Sequence, residues 1–95
     1  MLYRCDCCGY YTLEDEVYEI CSVCQWQEDY ITRKDPDFTG GANEVSLNEA
    51  RNNYKLFGAS EKKYVGRVRK PLSEELPENQ IAKRNKIYSE NDINE

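Results

Sequence analysis

The sequence predicts a small α+β domain with one hairpin and one packed helix, and three observations lead to this prediction. Five cysteines fall within the first 24 residues, and four of them form two C-x-x-C pairs separated by twelve residues. The stretch between the pairs contains two short β-prone runs, and a later stretch carries apolar side chains at helical spacing. With only 18 Leu, Ile, Val and Phe side chains among 95 residues, the chain is poorly supplied for an ordinary hydrophobic core.

The two C-x-x-C pairs are Cys5 with Cys8 and Cys21 with Cys24. Each pair can turn two sulfurs toward one ion from a tight knuckle, and together they supply four thiolates for a tetrahedral metal. Gly9 follows the first pair directly and lets the backbone turn where a side chain would obstruct it. We predict one Zn²⁺ per chain on these four cysteines, with a rubredoxin-type iron as the less favoured alternative.

Disulfides and a redox-active C-x-x-C are the competing interpretations of the cysteines. Five cysteines cannot all pair within one chain, and a reducing compartment disfavours lasting disulfides. A thioredoxin-like site would need a βαβ context that the sequence does not indicate. Cys7 is left over as a possible extra thiol. Three interpretations are open for it: a spectator, an alternative metal ligand or a reactive group. We favour the spectator, because C-x-C spacing suits a knuckle poorly.

The β-prone runs lie at residues 10–13 and 17–20, with the polar residues 14–16 between them. They predict a hairpin between the two cysteine knuckles, which is the arrangement of a zinc ribbon. Residues 33–43 contain one Pro and two Gly and predict a loop.

A helix is predicted over residues 47–57. Ser46 followed by Glu49 has the spacing of a capping box, and Gly58 can adopt the left-handed conformation that ends a helix. The apolar side chains that recur on one helical face are Leu47, Ala50, Tyr54 and Phe57. We therefore expect this face to pack against the hairpin.

The chain is predicted to divide at residue 58. Residues 1–58 form the zinc-binding domain, and residues 59–95 form a basic, then acidic, C-terminal extension that is partly flexible. Within this extension, residues 65–68 are a candidate for a short strand.

Charge is distributed unevenly along the chain. The formal net charge is minus 5, but residues 1–50 carry eleven acidic and three basic side chains, and residues 51–70 carry one acidic and seven basic ones. An acidic, Tyr-rich front half favours a basic protein partner and repels phosphate backbones. The side chains predicted to bind such a partner are Trp26, Tyr10, Tyr11, Glu28 and Asp29. Trp26 is also expected to pack over the metal site.

These features predict a protein-binding module with structural zinc, for example an acidic inhibitor or immunity protein against a basic nuclease toxin. A rubredoxin-like electron carrier is one alternative. Nucleic-acid binding through the basic residues 62–70 is another, less favoured one. The absence of His excludes imidazole-based catalytic triads, and four protein ligands would close the metal's coordination sphere, so no enzyme activity is expected. We expect a cytoplasmic protein without membrane association, and the sequence indicates no oligomeric state.

Three segments of the chain form a specific pattern: CDCCGYYT at residues 5–12, YEICSVCQWQED at residues 18–29 and GGANEVSLNEARNNY at residues 40–54. In this pattern the chain, from Tyr3 to about Gly58, resembles the bacterial cysteine-rich CPCC domain family. The resemblance implies a small bacterial metal-binding protein and carries no settled activity. Asp6 and Ser22 stand where the family pattern has proline, and we expect these departures to loosen the two knuckles.

Overall fold

The computed structural model describes residues 2–15 and 18–80. Strands β1 (Tyr3–Arg4) and β2 (Tyr11–Leu13) are followed by a short helix α1 (Tyr30–Lys34) and the main helix α2 (Leu47–Phe57). Two 3₁₀ turns follow, at Lys62–Arg67 and Ser73–Glu75. The small α+β class, with a two-stranded hairpin and one main helix, is confirmed. Most of the predicted acidic tail, from residue 81 on, lies outside the described residues.

The hairpin forms around the first cysteine knuckle. β1 pairs antiparallel with β2, so that Tyr3 lies opposite Leu13, whereas the prediction paired residues 10–13 with residues 17–20. That pairing is wrong: Ile20 instead makes an isolated antiparallel bridge with Gln27 across the second knuckle. The reason is local, because a C-x-x-C turn reverses the chain and brings the residues on its own two sides together.

Helix α2 begins and ends as predicted. The Ser46 side chain accepts a hydrogen bond from the backbone N–H of Glu49 at 3.1 Å. Gly58 ends the helix with φ of 80°, and its N–H donates to the carbonyl of Tyr54. Leu47 and Ala50 are buried, so the first half of the predicted face packs into the core.

Replacing Ser46 by Ala is expected to lower the free energy of unfolding by about 1 kcal/mol, because a helix N–H loses its acceptor. Urea denaturation at saturating zinc measures this loss. Thr39→Ala, in the exposed loop before α2, is the matched control and should change stability by less than about 0.5 kcal/mol. An equal loss in both variants would contradict the capping role.

Helix α1 lies where the sequence indicated the start of a loop. Asp29 precedes it and accepts a hydrogen bond from Ile31 N–H at 3.2 Å, which caps the first turn. The other carboxylate oxygen of Asp29 accepts from Ala42 N–H at 2.9 Å. A Cβ at Gly41 would collide with that oxygen, so any other residue at this position would displace the Asp29 carboxylate. Asp29 thus joins α1 to the loop before α2.

The core is small and rich in cysteine. Its buried members are Cys5, Cys7, Leu13, Cys21, Val23, Cys24, Trp26, Leu47 and Ala50. Tyr54 packs against this cluster and meets the Tyr10 ring edge-on, with centroids 6.5 Å apart. Phe57, although predicted for the same face, is half-buried and borders a separate groove with Val45 and Lys62.

The segment after α2 packs against the cysteine region. Ala59 and Ser60 are buried, and the Ser60 N–H donates to the carbonyl of Cys24 at 2.8 Å. The candidate strand at residues 65–68 is wrong, since Lys62–Arg67 is a 3₁₀ turn. Within residues 2–15 and 18–80, no helix combines the length and apolar content needed to cross a bilayer. The predicted domain boundary at residue 58 stays a prediction.

Candidate metal centre

The four predicted ligands meet at one point in the core. The Sγ atoms of Cys5, Cys8, Cys21 and Cys24 all lie within 4.8 Å of one another. Cys5 and Cys24 are 3.6 Å apart at sulfur, Cys8 and Cys21 are 3.7 Å apart, and all five cysteines are free thiols. A tetrahedron with metal–sulfur bonds of about 2.3 Å has its sulfurs about 3.8 Å apart. The four cysteines therefore fit a tetrahedral metal ion.

The two knuckles have the same backbone hydrogen bonds. In the first, Gly9 N–H donates to Cys5 C=O at 3.0 Å, and in the second, Gln25 N–H donates to Cys21 C=O at 2.7 Å. Each knuckle also has a second bond of the same kind: Cys5 N–H donates to the carbonyl of Tyr10, and Cys21 N–H donates to the carbonyl of Trp26. The residue after each pair has a positive φ, 84° for Gly9 and 69° for Gln25. The sequence predicts a turn of this kind only at Gly9, because glutamine rarely adopts a positive φ.

Crowding of the four thiols separates their pKa values. Interaction with the thiols of Cys24, Cys5 and Cys8 lowers the pKa of Cys21 below the usual thiol range, and the Thr12 hydroxyl lies 3.0 Å from its sulfur. The pKa values of the other three are raised, in each case first by the interaction with Cys21. Four crowded sulfurs thus need a countercharge to ionise together, and a divalent cation supplies it.

Cys7 lies beside this group. It is 8% exposed within the core cluster, and its thiol contributes to the raised pKa of Cys24. The sulfur of Cys7 is outside the group of four that could hold one ion. It is therefore a neighbour of the centre rather than a member of the group of four.

The residues predicted to bind a partner are largely internal. Trp26 and Glu28 are fully buried, and Asp29 is 4% exposed, so none of these three presents its side chain to a docking protein. This is a correction: Trp26 belongs to the core cluster that contains the cysteines, and the two carboxylates hold chain segments together. Tyr10 and Tyr11 are half-buried.

A carboxylate network holds the first knuckle in place. Glu28 accepts from the backbone N–H of Asp6 at 3.2 Å, and its other oxygen pairs with Arg33 at 3.2 Å. Arg33 also pairs with the Asp6 carboxylate at 2.7 Å, and Arg51 donates to the Asp6 carbonyl at 2.9 Å. The sequence led us to expect a looser knuckle where Asp6 replaces proline. In the structure Asp6 adds a contact that the family proline could not make, because proline has no backbone N–H to donate to Glu28.

Burial of Glu28 gives stability a pH dependence, since it raises the pKa of this carboxyl to about 7. Between the ordinary glutamate pKa and pH 7 the folded protein holds a proton that the unfolded chain has released, so a rising pH removes stability. In Glu28→Gln this titration is absent. The stability of the wild type relative to Glu28→Gln should therefore fall from pH 5 to pH 8 in urea denaturation at saturating zinc. A flat or rising difference would overturn this assignment.

Comparison with known proteins agrees with the pattern of the cysteine segments. The family model described as "Cysteine-rich CPCC" matches residues 3–75, a range that includes all five cysteines, α2 and both 3₁₀ turns. No curated protein matches the chain.

Proposed function

The chain belongs to the cysteine-rich CPCC family, and from that premise we propose that it is a protein-binding module built around one structural zinc ion. The convergence of four cysteine sulfurs within 4.8 Å is the observation that carries the proposal. Zinc suits it best, because four thiolates in a closed tetrahedral set are typical of structural zinc sites. The two knuckles of matching backbone geometry would then form a zinc-ribbon-like centre.

The centre has a structural rather than a catalytic role in this proposal. When bound, the ion supplies a fixed positive charge that holds four thiolates together. Cys5, Cys8, Cys21 and Cys24 would occupy all four positions, which leaves none for a substrate or an activated water. The neighbouring carboxylates support this view, since Glu28 and Asp29 are engaged with backbone N–H groups. Function then falls to the surface.

The surface that suits a basic partner is the turn between the knuckles, which we call the acidic edge: Glu14, Asp15, Tyr18 and Ile20. The N–H groups of Glu14 and Asp15 donate to the Glu19 carboxylate at 2.8 and 2.6 Å, which folds the turn while both acidic side chains stay exposed. Tyr18 is 58% exposed and Ile20 51%. Exposed aromatic and aliphatic groups beside negative charge fit a basic protein, such as a nuclease toxin held by a cytoplasmic immunity protein.

Charge reversal tests the acidic edge. The double variant Glu14→Lys/Asp15→Lys should lose the partners that the wild type captures from its own cell extract, and raised salt should release the same partners. The control is Glu74→Lys/Glu78→Lys, which changes the net charge equally at exposed positions elsewhere. Partners that bind all three proteins equally, or that resist salt, would contradict the proposal.

A rubredoxin-like iron centre is the second candidate, and one observation favours it. Cys8 is only half-buried and borders a surface cleft, which would leave one ligand near solvent for electron exchange. Elemental analysis of protein purified without added metal separates the two. One zinc per chain in a colourless protein supports the structural centre, whereas one iron per chain with visible absorption supports electron transfer.

Nucleic-acid binding through residues 62–70 receives less support, because part of that basic cluster is neutralised within the chain. Lys63 pairs with Glu44 at 3.0 Å, and Arg69 pairs through two nitrogens with Glu75. These contacts remove charge that phosphate contacts would need.

A further inference from the structure

A cleft of about 420 Å³ lies between the first knuckle and helix α2. Its lining includes Arg4, Cys7, Cys8, Arg51, Tyr54 and Lys55. Such a volume is within the range of small-ligand sites. Three of these side chains are cations in a protein whose net charge is minus 5, so the cations of the cleft are opposite in sign to the net charge of the chain.

The three cations have no carboxylate partner in the described part of the chain. Arg33, Lys63 and Arg69 form all of the ion pairs found there. By contrast, Arg4 Nε donates to the Gly9 carbonyl at 3.4 Å, and Arg51 Nε donates to the Asp6 carbonyl at 2.9 Å.

The two guanidinium groups are therefore held by backbone carbonyls and have no carboxylate partner among the described residues. Each is tethered through Nε, which leaves the terminal nitrogens to other acceptors. Lys55 lies four residues after Arg51, on the same side of α2. Two tethered guanidinium groups and a free ammonium make a preorganised receptor for an oxyanion.

The negative charge of the metal centre neutralises only part of the positive charge of the cleft. Four thiolates on a divalent ion carry a net charge of minus 2, and Cys8 is the ligand that borders the cleft. The Asp6 carboxylate, also at the cleft, pairs with Arg33 at 2.7 Å. Three cations exceed the charge of the centre by one, so the cleft keeps a positive surplus.

We propose that this cleft binds a phosphate group carried by a small ligand, between Arg4, Arg51 and Lys55. The number of cations favours a phosphate dianion over a carboxylate monoanion, and the partly buried Tyr54 forms an aromatic wall for the remainder of the ligand. The site is distinct from the acidic edge, and the proposal does not depend on the protein-binding function.

Titration of the metal-loaded full chain with inorganic phosphate, followed by amide NMR shifts at low ionic strength, tests the site. Saturable shifts are expected at Gly9 and along Arg51, Tyr54 and Lys55. Lys55→Gln should weaken phosphate binding by about tenfold, since one charge-assisted contact is lost. The control Lys34→Gln removes the same charge outside the cleft and should change the affinity by less than about twofold. Acetate, titrated in parallel, should bind at least about fivefold more weakly than phosphate.

Four results would overturn the proposal. Shifts that do not saturate, or equal weakening by Lys34→Gln and Lys55→Gln, would mean general attraction of anions. Acetate binding as tightly as phosphate would mean a carboxylate site. Unchanged phosphate binding in Lys55→Gln, together with easier metal loss to a chelator, would mean that the cations serve the metal centre alone.

Discussion

Treatment with a strong chelator is expected to unfold the chain. Among the described residues the buried core has nine members, and three of them, Cys5, Cys21 and Cys24, belong to the four cysteines that meet at the centre. Few apolar side chains remain to hold the hairpin against α2 without the ion. Structural zinc contributes on the order of 10 kcal/mol to domains of this kind. Far-ultraviolet circular dichroism should therefore lose most of its helical signal on chelation and regain it when zinc is returned.

Variants of single cysteines show whether the loss of helical signal on chelation comes from the metal centre itself. Cys21→Ser should bind no metal tightly and should resemble the chelated protein, because Cys21 is a fully buried member of the group of four. Cys7→Ala is the matched control, a buried cysteine outside the group. It should keep one metal per chain and lose only about 1 kcal/mol. A circular dichroism spectrum unaffected by chelator would refute the structural role of the metal.

Trp26→Ala is expected to have the second largest effect. The indole is fully buried in the cysteine cluster, and its removal would leave a cavity that so small a core cannot close. Large-to-small changes of this type lower the free energy of unfolding by about 3–5 kcal/mol. Because folding and metal binding are coupled, the apparent zinc affinity should fall by at least about a hundredfold in competition with a chelator.

Trp26→Phe is the control for this prediction. It keeps most of the buried ring volume and removes the indole Nε1–H, for which the described part of the chain offers no acceptor. The expected change is within about 1.5 kcal/mol. If Trp26→Ala changed the zinc affinity no more than Trp26→Phe, the indole would not be supporting the centre.

The sequence by itself determined the features that depend on short spacing. Two C-x-x-C pairs identified the four sulfurs that converge, because each turn needs only four residues to present two of them. Helix α2 was equally predictable, since Ser46 and Gly58 satisfy the free backbone groups at its ends within a few residues. The family pattern in the same segments is confirmed by the match over residues 3–75.

Only the tertiary structure decided which polar side chains are internal. The sequence predicts Glu28 and Asp29 as partner-binding side chains, yet their carboxylate oxygens accept hydrogen bonds from N–H groups 22 and 13 residues away. Strand pairing was also decided by the tertiary structure. The segment between the knuckles could pair with itself or with the far side of each knuckle, and closure of each C-x-x-C turn brings the two sides of that knuckle together. The cationic cleft also depends on distance, since it joins Arg4 to a helix more than forty residues further on. Such contacts leave no periodic or spacing signal, because they arise from where packing places two segments rather than from either segment's own preference.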